Sequence, residues 1–540
     1  MTLSRRNVLA LPAALYLSGS GAAPAPGQSQ GYPTLDEKQL GHLRFISNIA
    51  QRRHNDWSRM DSDEPGQGNF DAYRYQLAMM AYTVHLANYH YTPAWREVHQ
   101  ATSEKLVEKM MRFDVWSFWE NVSRGAKQFD PSLAALSDGW RDPVIKQNIM
   151  YSGHLFQMVT TYAMLYDSSR YEQAGALTFD FDPKARGMGR EQFVYDTPRL
   201  AEVLRNQFAA NGWAGVECEP NAIFVECNQH PMLGFKLLDQ RKGTAYFSEV
   251  SAQYMKVFDE QQFFHPENGS SMLFKMVKQG RKVPAQLAWN DGWAGTFLHA
   301  WAPQKVREVY PKLRSKYLVP QADGTAVIPF AKASDAWSWG NGFIAALAAE
   351  TGDVETARAM LAYADRHWSP TWVDGGLHYP RNDNFETSPG RGNGIPERFS
   401  SPRVNTLTGN GLLGLARINP GQGFFSMFER PWTSEHFRNP YISGVEFPQV
   451  QVARAVYDDE KRALLLRLRP ERTMDARLSV HQLNAQGTHA VLINGTVAGR
   501  VQNGRATAAG SGLQMDMRDG VLALNLPLRA TAEVVVQQLG

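Results

Sequence analysis

Residues 69–91, NFDAYRYQLAMMAYTVHLANYHY, constrain the fold of this chain more than any other stretch. Their apolar side chains recur with a helical period, yet they cover more than one face of the helix. A helix of that kind has no face to offer to water, so it must be enclosed by other helices. The helices to enclose it are written around it. Helical periodicity recurs over residues 40–53, 101–113, 148–166, 198–211, 222–238, 247–258, 293–299, 336–350 and 354–367, punctuated by clusters of Gly, Pro and Asp. The spacing predicts helix pair after helix pair over residues 35–430, and the expected architecture is mainly α, an (α/α)6 toroid. In such a barrel of hairpins, the loops at one end of the inner helices surround a central cavity.

The texture changes after Pro431. Short alternating runs follow: ARAVYDDEKRALLLRLRP, ARLSVHQL, AVLINGTVAGRV, LQMDMRDGVLALNLPL and AEVVVQQL. They read as strands, with turns at Asp458-Asp459, Asn494-Gly495 and Asp519-Gly520. A small antiparallel β domain is therefore expected over residues 440–540, joined by an aromatic-rich connector at 421–448. Two domains also suit the length, because 540 residues exceed what one ordinary core accommodates.

The N-terminus reads as an export signal. Arg5-Arg6 precedes a short apolar run and then the small residues Gly21-Ala22-Ala23, the pattern of a twin-arginine leader over residues 1–30. The apolar run is too short to span a bilayer, and no later segment is long enough, so no membrane span is expected in the mature chain. The implied location is periplasmic or secreted. Arg5 and Arg6 are the only charged side chains of the leader, and without them the net charge of +3 falls to +1. A nearly neutral chain gives no electrostatic case for nucleic acid or for an anionic membrane surface. Hydrophobic content of 43% and charged content of 20% fit a soluble globular protein. The aromatic content of 11% suits a cavity walled with rings, or equally well-packed interhelical seams.

Chemistry concentrates in residues 212–228, GWAGVECEPNAIFVECN. The stretch holds both cysteines of the chain, Cys218 and Cys227, with Glu219 and Glu226 between them. Pro220 suits a first helical turn, so Cys218 is expected on a loop and Cys227 about two turns into a helix. Read by themselves, the cysteines are a disulfide, a pair of buried inert thiols, or two thiols aimed into one cavity. His154 falls in the first turns of the helix opened by NIMYSGHL, where the helix dipole keeps an imidazole neutral. Arg74-Tyr75 lies within the enclosed helix, where a phenol needs a partner. Trp289-Asn290-Asp291-Gly292-Trp293 and Asp335-Ala336-Trp337-Ser338-Trp339 each set an acid beside tryptophans at a helix start, and Asp is also a common helix cap there. Residues 374–379, with His378 and Tyr379, read as a loop in reach of the same cavity. No phosphate-cradling glycine loop, dinucleotide fingerprint or HExxH is present, so no cofactor and no metal are expected.

NIMYSGHL and VECEPNAIFVECN, with RYQLAMMAY at 74–82 and KMMRFDVW at 109–116, resemble the linalool dehydratase/isomerase family over residues 40–420. The resemblance implies an exported, cofactor-independent α/α-barrel enzyme, ring-like as a homo-oligomer, acting on a small hydrophobic terpenoid alcohol. It places the family's active-site histidine on His154, its two cysteines on Cys218 and Cys227, and its tyrosine after a basic residue on Tyr75. The family's acid–base aspartate and second tyrosine fall on Asn48 and His54, so His54 or the nearby Asp56 is the expected replacement. Further cysteines of the family are missing, and the β extension has no counterpart there. The expectation is dehydration or isomerisation of a tertiary or allylic alcohol: His154 and Tyr75 polarise the hydroxyl, and Cys218 and Cys227 shuttle protons. A leaving hydroxide must be protonated as the C–O bond breaks, and an aromatic wall stabilises the positive charge left behind. Tyr75, His154, Cys218 and Cys227 must then line one cavity, with Asn48, Asp56, Tyr151, Glu219, Trp289, Asp291 and Tyr379 around the substrate.

Two other readings fit the same architecture. An exported helical toroid with a β domain also describes polysaccharide lyases and some glycoside hydrolases, in which Tyr379, His378, Asp291 and Asp335 would carry the chemistry. A binding protein that sequesters a hydrophobic alcohol without converting it is the third.

Overall fold

The computed structural model describes residues 31–60, 71–182, 189–329, 338–382 and 402–539, apart from 485 and 511. The expected leader, Asp335 and the start of the helix expected at 336 lie outside the described residues. Among the described residues, twelve helices build the toroid, with shorter ones at Phe113–Trp116, Phe118–Val122 and Gly423–Glu429 beside them: α1 Glu37–Gln51, α2 Tyr73–Tyr91, α3 Glu97–Met110, α4 Ile149–Tyr166, α5 Thr197–Ala210, α6 Gln229–Lys242, α7 Tyr246–Glu260, α8 Ala288–His299, α9 Pro303–Tyr317, α10 Trp339–Thr351, α11 Val354–His367 and α12 Leu413–Ile418. The even-numbered helices pack each against the next, and α12 returns to α2, which closes a ring. The odd-numbered helices lie outside, each against a helix of the ring. The result is an α/α toroid.

The sequence explains which helix goes where. Every residue of α4 and of α8 is buried, because both stand in the inner ring with helices on either side. In outer α7 only Val250, Tyr254 and Phe258 are buried, a single stripe at four-residue spacing. Asp36 starts α1 with a capping box to Gln39, and Asp353 caps α11 by accepting from the Thr356 N–H. The ring closes tightly where side chains are absent: a Cβ on Gly292 of α8 would lie 2.8 Å from the Phe343 carbonyl carbon of α10.

Two helices of the toroid escape the periodicity reading. α9 buries Val306, Val309, Tyr310, Leu313 and Tyr317 at helical spacing, but Pro311 inside it obscures the pattern. The last ring helix opens with a π-helical turn, Thr408–Leu412, whose two glycines give no helical propensity. The run expected to be helical from residue 222 starts its helix only at Gln229. Before it, β1 (Ala222–Ile223) pairs with β2 (Met272–Met276), which pairs with β3 (Arg281–Pro284).

The C-terminal part is all β. Strands β4 Tyr441–Ser443, β5 Val450–Asp458, β6 Ala463–Pro470, β7 Met474–His481, β8 Thr488–Ile493, β9 Thr496–Gln502, β10 Arg505–Ala508, β11 Gln514–Arg518, β12 Val521–Leu528 and β13 Ala532–Leu539 form two antiparallel sheets. The orders are β5-β6-β13-β8-β9-β10 and β4-β7-β12-β11. Asn494-Gly495 and Asp519-Gly520 take positive φ in two-residue turns, so those hairpins follow from turn chemistry. Between the sheets lie Leu464, Leu466, Val480 and Leu524, and Trp95 of the toroid joins the same cluster. Backbone bonds continue across the junction: Leu35 N donates to Ala453 O, Ala94 N to Ala455 O and Ile442 N to Ala94 O, at 2.8–2.9 Å. Among the described residues no helix is long and apolar enough to cross a membrane.

Candidate functional site

The cysteine stretch is not a helix but a looped excursion drawn tight by one side chain. Asn228, just before α6, accepts from Val216 N at 2.7 Å and donates to Val216 O at 3.0 Å and Phe224 O at 2.7 Å. This ties the two arms of the loop together, and Gly215 makes room for it. Gly215 has φ +127°, and a Cβ there would meet Asn228 Cγ at 2.9 Å and Ile223 Cγ2 at 2.7 Å. Within the excursion Cys218 N donates to Ala222 O at 2.8 Å and Ala222 N to Glu219 O at 2.9 Å. Asn221, at φ 75°, turns the chain back and spends its side chain on Phe129 O, Gln279 Oε1 and Lys278 N. The carbonyls of Glu217 and Cys218 accept from Ile149 N and Asn148 N, so the loop caps α4.

The excursion forms one wall of a cavity of about 630 Å³. Cys218, Glu219, Glu226 and Cys227 line it from the loop, Tyr75 from α2, Met150 from α4, and Trp289 and Trp293 from α8. The two tryptophans are four residues apart and so share one helix face. Phe224, Leu273 and Phe274 add rings and aliphatic surface. At the mouth stand exposed Asn121, Gln128 and Leu136, with half-buried Phe129. This rim is fastened by Asp130, which accepts from Lys278 at 2.6 Å and Gln279 at 2.9 Å.

Cys218 and Cys227 are free thiols, both buried, and the Cys218 thiol donates to the Cys227 sulfur. Burial pushes both up, Cys218 well above its ordinary value. Burial likewise pushes Tyr75 well up, against the pull of Arg74, whose guanidinium lies 4.4 Å from the centre of its ring. Thiols and phenol therefore stay protonated at neutral pH and serve as hydrogen-bond donors. The carboxyl groups behave differently. Burial raises Glu219 to about 7, and raises Glu226 well above its usual range with help from the charge of Glu219. A carboxyl near 7 gives and takes a proton with equal ease in water at neutral pH, which suits general acid–base work.

His154 lies behind this wall rather than in it. Its ring stands 5.7 Å from those of Tyr75 and Trp293, and its Nδ1 is 2.9 Å from the Tyr82 hydroxyl. Burial, with the Arg74 charge, lowers it to about 3, so it is neutral. His230, 3.8 Å away centroid to centroid, accepts from Trp293 Nε1 at 2.9 Å and faces Gln157 Oε1 through Nδ1 at 2.7 Å. Those two bonds place its proton on Nδ1 and hold the indole that lines the cavity.

Several expected participants stand elsewhere. His54 is exposed just past the end of α1, where the chain has left the helix. Asp56 accepts from the Ser58 hydroxyl and from Ser58 N at 3.1 Å, which lowers it, and it does not line the cavity. Asn48 donates to Asp374 O at 3.2 Å on the outside of the toroid, because α1 is an outer helix. Tyr151 donates to Met110 O at 2.9 Å, pinning α4 to α3. Asp291 accepts from Ser271 N at 2.7 Å and Tyr317 at 2.6 Å on the far side of α8 from the cavity tryptophans. Tyr379 donates to Asp365 and accepts from Arg417 at 2.9 Å, and His378 stacks on Phe45. These three are structural. Glu226, absent from the expected site, is part of it, and its place beside Cys227 in the same short loop was the available signal. The rim at 121–136 carried none, having neither a motif nor periodicity. Among the described residues no cluster of His, Cys, Asp and Glu is arranged to hold a metal ion.

A helical toroid whose cavity gathers two thiols, two carboxyls and a phenol under tryptophans defines an enzyme of the α/α-toroid class. The chain belongs to the linalool dehydratase/isomerase family, whose model matches residues 74–385. Solved structures with similar folds include a polysaccharide lyase (14% identity, 71% of this chain and 96% of that one, TM-score 0.40). Others are an unsaturated glucuronyl hydrolase from Bacillus sp. GL1 (9%, 72% and 99%, TM-score 0.41) and an α-1,6-mannanase variant from Salegentibacter sp. HEL1_6 (11%, 73% and 100%, TM-score 0.41). At these identities and TM-scores the likeness carries nothing about chemistry.

Proposed function

We propose that this chain is a cofactor-independent hydro-lyase or isomerase on an (α/α)6 toroid, acting on a tertiary or allylic alcohol. The observation that carries the reading is Glu219, held near 7 in a cavity lined by the two family cysteines. Protonated Glu219 gives its proton to the hydroxyl as the C–O bond breaks, and water leaves. The resulting carboxylate removes a proton from the neighbouring carbon, an alkene forms, and Glu219 is again protonated. Return of water to the far end of the allylic system gives isomerisation instead. Tyr75 and Cys227 donate hydrogen bonds to the departing oxygen, Cys218 holds the Cys227 sulfur with its own proton, and the faces of Trp289 and Trp293 stabilise the positive charge. Here the carboxyls replace His54 and Asp56 as the acid–base half of the site. The thiols orient and donate rather than ionise, and His154 supports the wall. The twin-arginine pattern of residues 1–30 supports export as part of this reading.

The test is product analysis on a panel of tertiary and allylic alcohols with the wild type, Glu219→Gln and Cys218→Ala. Glu219→Gln is expected to lose two to four orders of magnitude in turnover, the usual range for a lost general acid–base. Wild-type activity in Glu219→Gln removes the assignment. A second reading has one observation in its favour: Glu219 and Glu226 share a cavity, and paired carboxyls also serve glycoside hydrolysis. Release of reducing sugar from oligosaccharides, with every alcohol left untouched, would put that reading first.

A further inference from the structure

We infer that the substrate carries a second hydroxyl group, received by Glu226, beside the hydroxyl that Glu219 serves; its class is a diol or polyol rather than a mono-alcohol. The inference rests on reading the cavity as a site for alcohol dehydration or isomerisation. Both carboxyl groups line the cavity, and Glu226 is only 2% exposed. Each takes a hydrogen bond from its own backbone N–H. Oε2 of Glu219 and Oε2 of Glu226 are sealed from solvent and have no partner in the protein.

Other acids of the fold with buried side chains are engaged: Asp71 pairs with Arg381 at 3.4 Å and Glu172 with Lys242 at 2.5 Å. Glu350, fully buried between α10 and the 423–429 helix, binds His299, Asn419 and the N–H groups of Phe424 and Phe425. Asp291 is served by Ser271 and Tyr317. The two amides of the loop itself are committed elsewhere: Asn228 to the loop backbone and Asn221 to the rim. A buried polar oxygen without a partner is desolvated for no return, and such groups persist where a ligand completes them. Two bare carboxyl oxygens call for two hydroxyl groups. A mono-alcohol completes one and leaves the other stranded, and sites built to bind a hydroxyl reject the analogue that lacks it strongly. The remaining wall, Trp289, Trp293 and Phe224, takes the carbon skeleton.

The experiment compares two allylic tertiary alcohols of one carbon skeleton, differing by a second hydroxyl on the adjacent carbon. Binding is followed by calorimetry and turnover by product analysis. The wild type is expected to favour the diol by at least about 100-fold in both affinity and kcat/KM. Glu226→Met, which keeps the volume without the acid, is expected to cut the preference below about tenfold. Equal handling of the two alcohols by the wild type overturns the inference, as does a preference that survives in folded Glu226→Met, or no binding of the diol. The wild-type comparison needs no variant and decides alone if Glu226→Met does not fold. Preferential diol binding without conversion, lost in Glu226→Met, supports hydroxyl recognition while the dehydration reading falls. Equal conversion of both alcohols does the reverse.

Discussion

Glu219 shows how much of this site is decided by one residue's surroundings. Its carboxyl, raised to about 7, is protonated in the folded protein over a range where the unfolded chain has already ionised. The folded state therefore carries no penalty below the ordinary carboxylate value of 4.5, a growing one as pH rises towards 7, and a constant one above. Glu219→Gln is expected to match the wild type in stability at pH 4 and to exceed it at pH 8. The shift sets a ceiling of about 3 kcal/mol on that gain, lowered because part of the side chain reaches water. Urea unfolding at the two pH values checks it, and an equal difference at both would show an ordinary carboxyl. The same shift predicts that wild-type kcat/KM falls as pH passes about 7, because the acid form is the donor. His54→Ala and Asp56→Asn are expected to retain wild-type turnover, since neither side chain lines the cavity. Loss of activity in either would return the acid–base role to that turn.

At the scale of the element, the loop from Gly215 to Asn228 is a chemical unit held by geometry. Asn228→Ala removes three buried hydrogen bonds and leaves the Val216 and Phe224 groups unpaired, at a cost of about 2–4 kcal/mol. Gly215→Ala forces a Cβ against Asn228 in a backbone conformation that L side chains avoid, and is expected to cost a similar amount. Thermal melting measures both. Turnover should fall in each even at temperatures where the fold persists, because the cysteines and carboxyls shift together. The chemistry of this loop was legible in its letters; its shape was not. Pro220 is a good first helical residue, but Asn221 takes the left-handed conformation and is paired with Phe129, Lys278 and Gln279. Partners so far along the chain leave no local trace, so the helix expected from residue 222 begins at Gln229.

Across the whole molecule, the toroid and the β domain share structure. Trp95, 3% exposed, sits in the hydrophobic cluster of the β sheets although it belongs to the turn before α3. Trp95→Ala is expected to cost about 3–5 kcal/mol and to split unfolding into two transitions, seen as divergence of far-UV and near-UV signals. A single coincident transition would show that the backbone bonds at Leu35 and Ala94 suffice to couple the parts. The sequence by itself determined that α2 is enclosed and that the end of the chain is β, because both follow from which residues face water, and that Asn494-Gly495 and Asp519-Gly520 turn hairpins, because those residues accept positive φ. It also marked the cysteine loop as the chemical centre. Only the tertiary structure decided that Glu226 joins Glu219 there, that His154 stands behind Tyr75 and Trp293, and that His54, Asn48 and Asp56 stay outside the cavity. Those outcomes depend on which helix ends the ring brings together and on how far each carboxyl is removed from water. Burial and proximity are properties of the closed toroid, not of any one stretch of its chain.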